Sequence, residues 1–115
     1  MLSQQELEQT IVLNYLMNAR TANRKELQKA LHAHSNVQVS FIRNIVLSLE
    51  RRFKMLGINL LNVSARTAIN YSITHEAHRF ALSKLLTPIY DEEGELESGL
   101  YQHPIVLSKE RRMLI

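Results

Sequence analysis

One stretch constrains the fold more than any other: VQVSFIRNIVLSLERRF, residues 37–53, in which apolar residues recur every three or four positions. This spacing is typical of one face of an α-helix. It predicts a helix over about residues 38–56, ended by Gly57. The apolar stripe consists of Val39, Ile42, Ile45, Val46, Leu49, Phe53 and Leu56. Arginines lie off this stripe, so two interpretations are open: a core helix with a solvated face, or a helix that reads DNA.

Two helices are predicted before this one, because each begins with a capping box, in which a polar cap is followed three residues later by glutamate. Ser3 with Glu6 starts the first helix, and Asn23 with Glu26 starts the second. The predicted helices cover about residues 4–18 and 24–33. Three helices therefore precede Gly57, and the third carries the strongest apolar stripe.

After Gly57 the spacing of the apolar residues changes. Residues 58–64 and 68–73 are rich in β-branched and aromatic residues, and in the second segment Ile69, Tyr71 and Ile73 alternate with polar residues. Alternation of this kind predicts two strands of a β-hairpin.

A fourth helix is predicted over residues 75–86. Thr74 is a suitable N-terminal cap, and the helix should end at Thr87, because the residue before a proline is biased away from helical geometry.

The remainder of the chain has a different character. Residues 91–99 form an acidic, glycine-containing segment predicted to be a loop, and residues 104–115, PIVLSKERRMLI, predict a strand or a short docking helix. Residues 1–87 hold 11 Lys+Arg and 5 Asp+Glu, a net charge of +6, whereas residues 88–115 hold 3 and 6, a net charge of −3. A basic body suggests an anionic partner, although ordinary surface charge is the alternative interpretation.

The predicted order of helix, helix, helix, hairpin, helix is that of a winged helix-turn-helix. Residues 26–73 resemble the helix-turn-helix of biotin-repressor and DeoR-type regulators and the winged domains of Mga-like virulence regulators. The matching positions are Leu27, Leu31, Val39, Ser40, Ile45, Leu49, Leu56, Gly57, Ile58, Tyr71 and Ile73. The resemblance implies a mostly α fold with a small β-hairpin: a winged-helix domain with an added fourth helix over residues 1–87. Residues 88–115 would then be an acidic loop and a C-terminal docking or dimerisation segment.

In a helix-turn-helix, the N-terminal part of the recognition helix meets base edges. Opposite the apolar stripe, or on its flank, the third helix carries Ser40, Arg43, Asn44 and Arg51. Arginine pairs with guanine and asparagine with adenine, whereas the later Arg51 suits a phosphate. Further phosphate contacts are expected from Arg24, Lys25, Arg66 and Thr67. We therefore expect a small cytoplasmic protein that binds double-stranded DNA, acts as a dimer and regulates transcription.

Three apolar residues of the third helix also lie away from its stripe: Phe41, Leu47 and Met55. An extra apolar set implies a second contact, either with the C-terminal segment or with another chain. The alternative function is therefore a winged-helix interaction module or adaptor in a larger complex, with a homodimer or a protein partner.

Several classes of function are not expected. The chain has no cysteine, and none of its 3 glycines belongs to a phosphate-binding loop. His75 and His78 share a helix face but lack a third ligand, so exposed histidines are expected rather than a metal site. No nucleophile stands beside a base and an acid. We therefore expect no enzyme, metal or cofactor, and no membrane, because no run approaches 18 apolar residues.

Overall fold

The computed structural model describes residues 3–83, 87–90, 96–102 and 104–106. The described chain is mostly helical, with four α-helices and two small antiparallel sheets, so the predicted mostly-α class with little β-structure is confirmed. The helices are α1 (Gln4–Ala19), α2 (Arg24–Leu31), α3 (Val39–Lys54) and α4 (His75–Ser83). The strands are β1 (Thr21–Ala22), β2 (Tyr71–Ser72), β3 (Thr87–Tyr90) and β4 (Leu96–Gln102), followed by a 3₁₀ turn, Pro104–Val106. No helix in these ranges is long and apolar enough to cross a bilayer.

The capping boxes that predicted the starts of α1 and α2 are both present. The backbone N–H of Glu6 donates to Ser3 Oγ at 3.1 Å, and the N–H of Ser3 donates to Glu6 Oε1 at 2.8 Å. Asn23 and Glu26 make the same reciprocal pair at 2.8 and 2.9 Å. These bonds satisfy N–H groups that the first turn of a helix leaves without a backbone partner, which is why both starts could be predicted.

Gly57 ends the third helix as predicted. Its φ is 77°, a left-handed conformation that glycine adopts without steric cost. The N–H of Gly57 donates to the carbonyl of Lys54 at 2.9 Å and that of Ile58 to the carbonyl of Phe53 at 3.1 Å, the hydrogen-bond pattern of a Schellman motif. The reversal carries Leu56 off the stripe, so its predicted burial is wrong: the side chain is 54% exposed.

The first helix is buried around most of its circumference, not only along its predicted stripe. It contacts α2, α3 and β1, and also β4 and the 3₁₀ turn of the C-terminal segment. Polar positions are therefore enclosed and bond to the helix itself: Thr10 Oγ1 donates to the carbonyl of Glu6 at 2.7 Å, and Asn14 Nδ2 to the carbonyl of Thr10 at 2.8 Å. Hydrogen bonding of this kind offsets the cost of burying a hydroxyl and an amide.

The predicted hairpin of residues 58–64 and 68–73 forms only in part. Leu61 bridges Ile73, but β2 pairs over its length with β1, the two residues between α1 and α2. Thr21 lies opposite Ser72, and their hydroxyls are 3.0 Å apart. A strand partner about fifty positions away leaves no local signal in the sequence.

A compact turn at residues 64–68 explains why the hairpin is short. The N–H of Ala68 donates to the carbonyl of Ser64 at 2.9 Å, and Ala65 and Ala68 are both buried. The chain therefore becomes extended only at Tyr71. Ile69, which was predicted to lie on the same strand face as Tyr71, is instead 80% exposed.

The C-terminal segment departs from its prediction. Residues 96–99, expected in an acidic loop, belong to β4, which pairs with β3. Of the predicted strand or short docking helix, residues 104–106 form a single 3₁₀ turn that contacts α1 and α3. Residues 91–95 and 107–115 lie outside the described part of the chain. The division into units at residue 87 stays a prediction.

The geometry at Gly57 yields a prediction about stability. A Cβ placed on Gly57 would meet no heavy atom of the described chain within 4 Å, so only the left-handed backbone opposes a side chain there. We expect Gly57→Ala to lower the free energy of unfolding by about 1 kcal/mol, measured by urea denaturation. Lys54→Ala, at an exposed position one turn earlier, is the control. Equal stability of Gly57→Ala and wild type would contradict the account of this helix end.

Candidate nucleic-acid interface

The packing of α3 leaves the face opposite its stripe open. Ile42, Val46, Leu49 and Phe53 are all fully buried in the core. At 3.6 residues per turn, the opposite side carries Ser40, Asn44 and Arg51, and all three are exposed. The three residues predicted for this face are thus on one accessible surface of the helix.

Arg43 occupies a different position from these three. It lies on the flank of the buried stripe and is half-buried. Its Nε is enclosed and has no hydrogen-bond partner among the described residues. Arg43 is therefore less available to a base edge than the sequence pattern indicated.

A groove of about 340 Å³ runs between the second half of α3 and residues 58–66. We call it the basic groove, because Arg51, Lys54 and Arg66 line it. All three cations are exposed, and Glu50 is the acidic residue among the lining side chains. This arrangement places positive charge from the helix and from the following turn around one concave surface.

Glu50 fixes the turn that carries Arg66. Its carboxylate accepts from Ser64 Oγ at 3.2 Å and from the backbone N–H of Ala65 at 3.3 Å. Within the turn, the N–H of Arg66 donates to Ser64 Oγ at 3.3 Å, and that of Thr67 to the carbonyl of Ser64 at 3.0 Å. Arg66 and Thr67 are both exposed in this turn. The role of Glu50 was not predicted from the sequence, since no local pattern connects residue 50 to residue 64.

The basic residues at the start of α2 stand apart from the basic groove. Arg24 is half-buried and Lys25 is exposed, and neither lines the groove. In the same turn, Glu26 Oε2 accepts from the Tyr15 hydroxyl at 3.5 Å. Burial, followed by the negative charge and hydrogen bond of Glu26, raises the pKa of Tyr15. The hydrogen bond from Tyr15 therefore joins α1 to the first turn of α2, which also contains Arg24 and Lys25.

The three apolar residues expected to form a docking surface lie at separate places on α3. Phe41 is 55% exposed and lines a groove of about 470 Å³ shared with α1. Leu47 is half-buried, packs against the core and lines the basic groove. Met55, directly after the helix, is 83% exposed. A single partner surface would have to extend over more than three turns of helix to meet all three.

The histidine pair of α4 is divided between surface and core. His75 is exposed, but the prediction of exposure is wrong for His78, whose Nε2 lies 3.1 Å from the carbonyl oxygen of Met17. Within the described chain, no group of three or more histidine, cysteine or acidic residues is placed to hold a metal ion. His78 is thus part of the contact between α4 and α1.

Comparison with protein-family models, with curated proteins and with solved structures found no match to this chain.

The contacts of Glu50 predict a local effect of its removal. Glu50→Ala should lower the free energy of unfolding by about 1 kcal/mol, because two hydrogen bonds to a carboxylate are lost at a half-buried position. The backbone N–H of Ala65 should exchange faster with solvent, measured by hydrogen exchange and NMR. Glu76→Ala, which removes an exposed acid of α4, is the matched control. Unchanged exchange at Ala65 would contradict the proposed role of Glu50.

Proposed function

We propose that this chain is a winged-helix protein that binds double-stranded DNA, with α3 in the major groove. The connectivity supports this. β1 lies between α1 and α2 and pairs with β2, and Leu61 bridges Ile73 beside it. The order is therefore helix, strand, helix, helix, then two strand segments, and in a winged helix the third helix of that order is the recognition helix.

The exposed outer face of α3, bordered by the basic groove, is the observation that carries the proposal. Ser40 and Asn44, in the first half of the helix, are suited to base edges, since an amide can donate to and accept from adenine. Arg51, Lys54 and Arg66 surround one concave surface and suit phosphate oxygens. The first half of α3 would thus contact base edges, and its second half, with Arg66, would contact the phosphate backbone.

Regulation of transcription in the cytoplasm by a dimer is the biological setting that this proposal implies. Two copies would place their α3 helices in successive major grooves, about 34 Å apart. A net charge of +3 over the whole chain, with +6 in residues 1–87, favours approach to a polyanion.

Single arginine substitutions test the proposal. Arg51→Ala and Arg66→Ala should each weaken binding to duplex DNA, because each removes one phosphate contact. Each should also reduce the slope of log affinity against log salt by about 1. Fluorescence anisotropy with a labelled duplex at several salt concentrations measures both effects.

Arg79→Ala is the matched control for these variants. It removes the same charge from an exposed position on α4, where Arg79 lines a different groove from that of Arg51 and Arg66. The control should retain the affinity and the salt slope of the wild type, apart from the non-specific effect of removing one positive charge. If all three variants bind equally well, the basic groove is not the DNA contact.

A protein-docking role is the second candidate, favoured by the apolar side chains that follow α3. Met55 and Leu56 are adjacent and are 83% and 54% exposed. On this alternative, light scattering should give a mass above the 13.3 kDa of one chain. The double variant Met55→Ser, Leu56→Ser should then be monomeric, while Leu82→Ser, at an exposed leucine of α4, should still associate. A wild-type monomer that co-purifies with no partner would exclude this role.

A further inference from the structure

We propose that α3 recognises an adenine and a thymine in neighbouring base pairs of duplex DNA. Asn44 bonds to the adenine, and the ring of Phe41 packs on the methyl group of the thymine. This assignment rests on the proposed function, since it names the bases that the outer face of α3 contacts. The exposure of Phe41 and its position beside Asn44 support it.

Phe41 is a large apolar side chain that the described chain leaves open. It is 55% exposed, whereas Ile45, one turn later on the same flank of α3, packs against the core. Among the described residues its ring has no aromatic partner. Phe41 and Ile45 form apolar surface in the groove of about 470 Å³ shared with α1, and amide side chains such as Gln38 and Asn44 border that surface. Apolar surface with a polar rim is typical of a binding site.

Asn44 is the neighbour of Phe41 on this face, because residues three positions apart on a helix have Cβ atoms about 5–6 Å apart. Its backbone carbonyl accepts from Ser48 Oγ at 3.0 Å, whereas its side-chain amide makes no hydrogen bond within the described chain. Both the donor and the acceptor of this amide are therefore available. Base pairs are stacked about 3.4 Å apart, so Phe41 and Asn44 are close enough to contact adjacent pairs.

The major groove of DNA presents groups that match these two side chains. Adenine presents an acceptor at N7 and a donor at N6, and an asparagine amide can bond to both. Thymine presents its 5-methyl group, which an apolar side chain such as phenylalanine contacts. Phe41 lies in the first turn of α3, the part of a recognition helix that meets base edges. The ring of Phe41 therefore selects thymine, because it is the base that carries the methyl group.

The charges around Phe41 favour a base rather than a phosphate as its contact. Glu8 is the only charged residue among the described side chains that line this groove, and its carboxylate repels phosphate. That carboxylate accepts from Ser35 Oγ at 2.7 Å, so it is held beside the groove. Arg51 lies in the second half of α3 and lines the basic groove instead. Phosphate contacts are therefore expected near Arg51 and base contacts near Phe41.

A binding-site selection, followed by changes of single groups in the DNA, tests this assignment. The full wild-type chain selects duplexes from a randomised pool at low salt, and we expect the selected sequences to share an adenine and a thymine in neighbouring base pairs. Replacing that thymine by uracil removes only the methyl group and should weaken binding about fourfold. Replacing the adenine by 7-deazaadenine removes the N7 acceptor and should weaken binding about tenfold. Fluorescence anisotropy measures both losses.

Two variants assign each loss to its side chain. Phe41→Ala should bind the thymine and uracil duplexes equally, and Asn44→Ala should bind the adenine and 7-deazaadenine duplexes equally. Both positions are exposed, so neither substitution removes a core side chain. Leu82→Ala, at an exposed leucine of α4, is the matched control and should retain the full preference for thymine. The four combinations of phenylalanine or alanine with thymine or uracil form a double-mutant cycle that isolates the contact.

Several results would overturn the assignment and leave DNA binding intact. A preference for thymine that persists in Phe41→Ala would show that Phe41 does not make the contact. Equal binding of the thymine and uracil duplexes by the wild type would show that the methyl group is not contacted. Selected duplexes that share no base would show that α3 does not read the sequence. Failure of the wild type to retain any duplex at low salt would contradict the proposed function as well.

Discussion

The enclosure of α1 is the constraint on which the rest of the structure depends. This helix contacts α2, α3 and β1, and also β4 and the 3₁₀ turn. Ile11, Val12, Leu13 and Leu16 are all buried as a result. Apolar burial on several sides is the main favourable term in holding short helices together. Because α1 and the core stripe of α3 face each other, the opposite side of α3 is directed outward.

Local signals in the sequence predicted the helices well. A cap bonds to residues three positions away, and the stripe of α3 depends only on helical periodicity, so Ser3, Asn23 and Gly57 could be interpreted without knowledge of the fold. β1 could not be predicted, because two residues form a strand there only through pairing with Tyr71 and Ser72. The exposure of Ile69 likewise depends on the turn that buries Ala65 and Ala68.

For the candidate site, too, local signals predicted only part of the arrangement. Periodicity placed Ser40, Asn44 and Arg51 on the outer face of α3, and all three are exposed. Periodicity could not predict that Phe41 and Leu47 line different grooves, because other elements form the opposite walls. These are α1 beside Phe41 and residues 58–66 beside Leu47. The role of Glu50 could not be predicted for the same reason, since its carboxylate bonds to a turn fourteen positions later in the chain.

We propose that the outer face of α3 and the turn of Arg66 contact DNA together. An NMR titration of the ¹⁵N-labelled chain with a short duplex tests it most directly, because each backbone amide reports its own surroundings. We expect the largest shifts at Ser40, Asn44, Arg51 and Arg66, and no shifts in α4. Shifts confined to α4, or none at low salt, would contradict it.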